Sequence, residues 1–138
     1  MFSNSRSYEI EWGDCDPAGI VFYPRYFAIF DASTALLLEK ALQMKKAEWI
    51  KAFGVAGIPM VDTGANFRRP CSFGDVVTIR SEISEIGRTS FGVRHTLDNK
   101  GETAVEAHEK RVWTGREASG ALRAMPLPDA VLARLKGG

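Results

Sequence analysis

The sequence predicts an α+β fold in which one antiparallel sheet wraps around one long apolar helix. Three observations predict it. Hydrophobic residues recur with a helical period from Pro24 to about Gln43, and the period becomes two after Gly57. The helical segment is apolar nearly all the way round, at Tyr26, Phe27, Ile29, Phe30, Ala32, Ala35, Leu36, Leu37 and Leu38. Such a helix asks to be enclosed by other structure. Four or five period-two segments with short turns between them then follow, which suits antiparallel neighbours and a sheet of five or six strands. At 138 residues the chain has the length of a single domain, 1–138.

Tyr8, Ile10 and Trp12 alternate with Glu9 and Glu11 and predict a short half-buried strand. Gly13 to Gly19 is a loop by its Gly, Asp and Pro content. Pro24 suits the first turn of a helix, where its missing N–H is not needed. A second short helix is predicted from about Lys46 to Phe53, ending near Gly54. Val61, Thr63, Ala65 and Phe67 then share one strand face, as do Val77, Ile79, Ser81 and Ile83 in the next strand. Phe91, Val93, His95 and Leu97 line a third. The turn "DNKG", Asp98 to Gly101, joins it to a fourth strand, Glu102 to Trp113. A last strand is expected over Ala121 to Met125, with "DAVLARL" as a closing helical turn or two. Open sheet edges and an uncovered outer face predict at least a dimer.

Composition narrows the function classes. Hydrophobic residues make up 45% and charged residues 25%, an ordinary globular mix. A net charge of +1 gives no bulk attraction to nucleic acid or to an anionic membrane, so neither is an expected partner. Cys15 and Cys71 are too few for a disulfide framework or a structural zinc site, and reduced thiols in the cytoplasm are expected. The start, "MFSNSRSYEIEW", lacks the apolar core of a signal peptide. The segment from Tyr26 to Leu42 is too short, and too interrupted by charge, for a membrane span.

The chemistry is concentrated in "GDCDPAGIVFYPRYF", Gly13 to Phe27. A helix N-terminus offers unpaired N–H groups and a partial positive charge. A loop in front of it can hold a carboxylate beside them. Together they make an acyl-transfer site: the N–H groups of residues around Tyr23 polarise a carbonyl, and the carboxylate attacks it or activates water. Asp16, nearer the helix and before Pro17 and Gly19, is the candidate reactive group. Asp14 is expected to cap the loop. An ordinary Asp-Pro-x-Gly turn is the plain structural alternative. A calcium loop is excluded, because its required glutamate would fall at Arg25. Cys15 with His95 or His108 has no supporting local signature, and His95, on an apolar strand face, is expected to be a hydrogen-bonded core residue.

These residues resemble the signature of the 4-hydroxybenzoyl-CoA thioesterase family, which has the hotdog fold. "VDTGANFRRPCSFGD" and "GRTSFGVRH" extend the resemblance over most of the chain, to about Gly115. The resemblance implies hydrolysis of an aryl-CoA thioester, dimers that pair into tetramers, and no metal or bound cofactor, coenzyme A being part of the substrate. It places the catalytic carboxylate, nucleophile or general base, on Asp16 and the polarising amide on Tyr23. Related acyl-CoA thioesterases carry histidine at the position of Tyr23, so tyrosine points to the aryl-CoA branch. It also implies that Asp31 contacts a ring hydroxyl or serves at the subunit interface. The aromatic residues Phe22, Tyr23, Tyr26, Phe27 and Phe30 favour a flat acyl group, with Phe22 and Tyr26 the candidates for binding it, although aromatics also fill ordinary cores. Arg68, Arg69, Arg88 and Arg94 are candidates for the coenzyme A phosphates, with Thr89 and Ser90 as donors. Lys46 stands where the family has a tryptophan, with Trp49 nearby. Benzoyl, hydroxybenzoyl, phenylacetyl and gentisyl thioesters all stay open. The alternatives are a broader acyl-CoA or acyl-carrier-protein thioesterase, a non-hydrolytic thioester binder, and, more distantly, a dehydratase.

Overall fold

The computed structural model describes residues 1–137. The order is β1 (Ser3–Glu9), α1 (Pro24–Leu42), α2 (Lys46–Phe53), β2 (Met60–Phe67), β3 (Val76–Ile86), β4 (Ser90–Asn99), β5 (Glu102–Val112), β6 (Thr114–Arg116), β7 (Leu122–Ala124) and α3 (Asp129–Leu135). Five strands form one antiparallel sheet in the order β1-β3-β4-β5-β2, and β6 pairs with β7 separately. The helix-in-sheet arrangement is the expected one.

The β3-β4-β5 meander forms the middle of the sheet. Val77, Ile79, Ser81 and Ile83 on β3, with Phe91, Val93, His95 and Leu97 on β4, are all buried, as their alternation predicts. Lys100 (φ 54°) and Gly101 (φ 78°) turn β4 into β5, both in the left-handed region a two-residue hairpin of this twist demands. α1 lies on the sheet and ends at Gln43 (φ 56°), where the Met44 amide returns to the Glu39 carbonyl at 3.2 Å.

Two expectations change, for the first strand and for α1, and one strand gains a place that its alternation left open. The first strand ends at Glu9; Ile10 is buried, but Trp12 begins a 3₁₀ turn (Trp12–Asp14) and is 73% exposed. The Asp14 carboxylate accepts the Glu11 amide there, which favours the turn over extended chain. β2 is an edge strand with neither face buried; Met60, Val61 and Phe67 are exposed.

α1 is not enclosed all round within one chain. Its buried side is a stripe, Tyr26, Ile29/Phe30, Ser33/Thr34, Leu37/Leu38 and Ala41/Leu42, the i, i+3/i+4 pattern of a helix lying on a sheet. Ala28, Asp31 and Ala32 on the opposite side face outward. A twisted five-stranded sheet covers one face of the helix, and the apolar residues beyond that stripe stay uncovered.

The core has two parts. One, at the C-terminal end of α1, centres on Trp49 stacked on Trp113 at 5.8 Å. The other, beneath the start of α1, holds Ile10, Val21, Tyr26, Phe30, Val77 and Leu97.

Candidate active site

The Gly13–Gly19 loop is a tight hairpin. Cys15 bridges to Val21, and Ile20 to Ser72 beside the sheet. The Gly19 amide donates to the Asp16 carbonyl at 2.9 Å, and the Asp16 amide to the Ile20 carbonyl at 2.9 Å. Pro17 presets the turn's second position, and Gly19 (φ 83°) supplies the left-handed residue that lets the chain rejoin its partner.

The two aspartates serve opposite ends of this loop. Asp14 is fully buried. Its carboxylate accepts from the Tyr8 hydroxyl (2.7 Å), the Glu11 amide (2.9 Å) and Arg25 (Nε 3.0 Å, Nη2 2.9 Å). Burial pushes its carboxyl up, but these bonds outweigh burial and hold it below the usual carboxylate range. The capping role expected of Asp14 is the one it has. Asp16 is half-buried, and Oδ1 accepts the Ala18 amide at 2.8 Å, closing an Asx turn. Among the described residues nothing donates to Oδ2.

The chain then enters α1. The Phe22 amide donates to the Asp14 carbonyl at 2.8 Å, which ties the helix start to the loop. The Arg25 amide goes to the Phe22 carbonyl (2.8 Å) and the Tyr26 amide to the Tyr23 carbonyl (3.1 Å). The Tyr23 amide pairs with no acceptor among the described residues. Pro24 follows and brings no N–H. Tyr23 therefore offers a free donor at the positive end of a 19-residue helix.

A groove of about 350 Å³ opens beside it, lined by Ile20, Val21, Tyr23, Tyr26, Phe67 and Arg68 among others. Tyr23, Tyr26 and Phe27 all pack on Phe67, at 6.2, 5.7 and 6.4 Å between ring centres. Tyr23 is exposed, and Phe22, also exposed and not part of the lining, meets its ring edge-on at 5.8 Å. Tyr26 is buried, and its hydroxyl accepts the Cys71 amide at 3.3 Å.

The remaining candidates lie apart within one chain. Asp31 is outside this groove and bonds Arg111 at 2.7 Å. Arg68 pairs with Glu106 (3.0 Å), Arg69 with Glu102 (2.7 Å) and Arg94 with Glu82 (3.6 Å). Arg88, Thr89 and Ser90 form the β3–β4 turn, closed by the Gly87 amide on the Ser90 carbonyl. That turn is held by Leu127 and Trp113, at the opposite core cluster from the Asp16 loop. Arg88 is exposed. Trp49, near the departure at Lys46, is fully buried against Trp113 and belongs to the core. Cys15 is half-buried, with Sγ 3.7 Å from the Glu11 carbonyl.

His95 is the hydrogen-bonded core histidine expected. Its Nδ1 meets Ser81 Oγ at 2.7 Å and its Nε2 meets Glu109 Oε2 at 3.2 Å. Its partners Glu109 and Thr34 (Oγ1 3.1 Å from Nε2), and Arg111, whose Nε donates to Glu109 Oε1 at 2.8 Å, are not among the residues the sequence singles out. The signal was present in period two: Val105, Ala107, Glu109, Arg111 and Trp113 share the inward register of the fourth predicted strand, so two charges stand at core positions. Both are buried.

Residues 10–135 match the family model described as Thioesterase-like superfamily. A 4-hydroxybenzoyl-CoA thioesterase of Pseudomonas sp. (strain CBS-3) is 34% identical over 124 residues, covering 86% of this chain and 87% of that protein. The crystal structure of an aspartate-to-asparagine mutant of a 4-hydroxybenzoyl CoA thioesterase, complexed with 4-hydroxybenzoyl CoA, superposes with a TM-score of 0.89 at 31% identity, covering 98% of this chain and 99% of that one. A gentisyl-coenzyme A thioesterase superposes with a TM-score of 0.83 at 32% identity, covering 96% of this chain and 99% of that one.

Proposed function

The chain belongs to the thioesterase-like superfamily, and from that premise we propose that it hydrolyses an aryl-CoA thioester to the free acid and coenzyme A. The observation that carries the reading is the pairing of a free Tyr23 amide at the helix start with a half-free Asp16 carboxylate on the loop in front of it. The Tyr23 N–H polarises the thioester carbonyl and stabilises its oxyanion. Asp16 either adds to that carbonyl, giving an anhydride that water opens, or takes a proton from the water that adds. In both routes the C–S bond breaks and coenzyme A leaves as a thiolate, which takes up a proton that the attacking water releases, directly after anhydride opening or by way of Asp16 in the general-base route.

A flat acyl group suits the aromatic groove of Tyr23, Tyr26 and Phe67, and Phe22, packed on Tyr23, is a further candidate for the acyl site. The relatives' substrates, 4-hydroxybenzoyl-CoA and gentisyl-CoA, are both hydroxylated aroyl thioesters. Asp31 is the candidate for meeting a ring hydroxyl. Arg68 at the groove and Arg88, Thr89 and Ser90 on the β3–β4 turn are candidates for the coenzyme A moiety. Because these groups sit at opposite ends of one chain, the reading calls for a homodimer, itself pairing into a tetramer, in which the turn of one subunit serves the loop of another. The exposed edge of β2 and the uncovered face of α1 support such an assembly. Water is the cosubstrate and no cofactor is invoked. The single thioesterase unit is proposed to span residues 1–138 and to work in the cytoplasm. No helix among the described residues is long and apolar enough to cross a membrane.

The test is thiol release from a panel of thioesters: benzoyl-, the hydroxybenzoyl isomers, gentisyl-, phenylacetyl- and medium-chain aliphatic CoA. Fast release from one aryl-CoA with slow aliphatics supports the reading and names the substrate. Slow release from all of them overturns it in favour of a carrier-protein substrate or a non-hydrolytic binder.

A further inference from the structure

The start of α1 is held from the side. Tyr23 is its N-cap, and among the described residues no capping side chain bonds the amides of the first turn. The Arg25 and Tyr26 amides turn instead to the carbonyls of Phe22 and Tyr23. An ordinary capping oxygen would stand at the helix mouth and compete with a substrate carbonyl for the same donors. The restraint comes from Asp14 instead.

Asp14 grips the chain on both flanks of Tyr23. Its carbonyl accepts the Phe22 amide at 2.8 Å. Its carboxylate Oδ1 accepts Nε and Nη2 of Arg25 at 3.0 and 2.9 Å. The other oxygen, Oδ2, accepts the Tyr8 hydroxyl at 2.7 Å and the Glu11 amide at 2.9 Å. A carboxylate has about four acceptor positions, so this one is filled. Tyr23 lies between two residues fastened to the same anchor, and its amide cannot swing without breaking one of those ties. The Asp16 loop leaves from that anchor too: Cys15 bridges to Val21, and the Asp16 amide donates to the Ile20 carbonyl at 2.9 Å.

The four donors on the Asp14 carboxylate are not equivalent. Tyr8 and Glu11 come before the loop, and only Arg25 belongs to α1. Arg25 is also the only cation among them. Asp14 is fully buried, and an unmatched negative charge there would oppose the anion that acyl transfer builds beside the helix start.

We propose that Arg25 is a positioning residue for the hydrolysis: by joining α1 to Asp14 it sets the aim of the Tyr23 amide and its distance from Asp16. This rests on the aryl-CoA reading and deepens it. Arg25 does not line the groove beside Tyr23, so its loss should spare substrate binding and slow the chemical step.

The test is kcat and KM per folded molecule for Arg25→Met and Arg25→Lys, on the aryl-CoA that the wild type cleaves fastest, with urea unfolding in parallel. Arg25→Met is expected to lower kcat about 10- to 100-fold, the loss that a misplacement of about 1 Å brings, while KM stays within about threefold. Lysine returns the charge but not the two-pronged contact, so Arg25→Lys is expected to recover only part of kcat. In Asp14→Asn/Arg25→Met, kcat is expected to be no lower than in Asp14→Asn alone, because Arg25 acts through Asp14. A folded Arg25→Met that loses stability and keeps the wild-type kcat marks a purely structural residue and overturns the proposal. Full activity in Arg25→Lys overturns it too, since charge alone would then suffice, as do additive losses in the double variant. If Arg25→Met fails to fold, Arg25→Lys takes its place beside Asp14→Asn with the same expected direction. Wild-type protein that cleaves no aryl-CoA overturns the functional reading and this inference with it. Wild-type turnover with an unchanged kcat in the variants overturns this inference alone.

Discussion

The Tyr8 hydroxyl donates to Asp14 Oδ2 over 2.7 Å, from the last turn of β1's ladder into the loop that precedes α1. Arg25 reaches the other oxygen from the first turn of the helix. One buried carboxylate thus fixes the distance between strand, loop and helix start. Removing it in Asp14→Ala is expected to cost about 2–4 kcal/mol in urea unfolding. The Asp14 carboxyl is held below its ordinary range, so its contribution is present above that range and lost as the pH falls beneath it, through the depressed folded value. The acid limb of the stability curve should therefore flatten in the variant; an unchanged limb would remove Asp14 from its role as the loop's anchor.

Asp16→Asn separates chemistry from structure. Asparagine can still accept the Ala18 amide through its carbonyl oxygen, so the Asx turn survives. Stability is expected to stay within about 0.5 kcal/mol of wild type. Turnover of the preferred aryl-CoA is expected to fall by about 10²–10⁴-fold. Near-normal turnover in a folded variant would take the reactive role away from Asp16.

Tyr8 gives an alkaline signature. Burial, then its bond to Asp14, pushes the phenol up to about 12. A folded value raised above the unfolded one means that Tyr8 adds stability below about 10, which is lost as the pH rises towards about 12. Near-ultraviolet absorbance should show one phenol ionising near 12, and that component should vanish in Tyr8→Phe. If the component persists, it belongs to another tyrosine.

The ion pair beneath α1 makes a sharper stability prediction. Glu109→Ala removes the buried carboxylate beside Arg111, leaving that guanidinium only the exposed Asp31 as a counter-charge, and is expected to cost about 3–5 kcal/mol in urea unfolding. Replacing both, as Glu109→Leu/Arg111→Met, should recover most of that loss, because no buried charge is left unmatched. A Glu109→Ala cost below about 1 kcal/mol would mean that water reaches Arg111.

The helix, the meander and the Asp16 loop were legible because each is written locally. Pro24, Gly54, Pro17 and the DNKG turn carry their own backbone preferences, and the inward faces of β3 and β4 repeat with period two. Trp12 misled because its alternation with Ile10 continues past the point where the Asp14 carboxylate bends the chain. The enclosed helix misled because an apolar residue needs cover without saying which surface provides it. The Glu109–Arg111 pair was hidden in plain register: charge at a core position reads as an error in the period until a partner such as His95 is known, and that partner is set by strand order. Asp16 and Tyr23 came from the motif, and nothing in composition alone would have separated Asp16 from Asp14.

The strand order has a consequence for synthesis. β3, β4 and β5 pair with sequence neighbours, whereas β1 must find β3 (Ser3↔Glu82) and β2 must find β5 (Phe67↔Val105). At about 5–20 residues per second, Val112 is added several seconds after Leu42. For that interval α1 leaves the ribosome with its apolar stripe bare. The meander should form first and the outer strands close on it later, at the greater cost of the longer loops. The Asp16 hairpin is held between β1 and the segment around Cys71 and Ser72, so it takes shape only on that last closure. A newborn chain that stalls before then carries a greasy, unguarded helix face and an Asp16 loop that has yet to take shape.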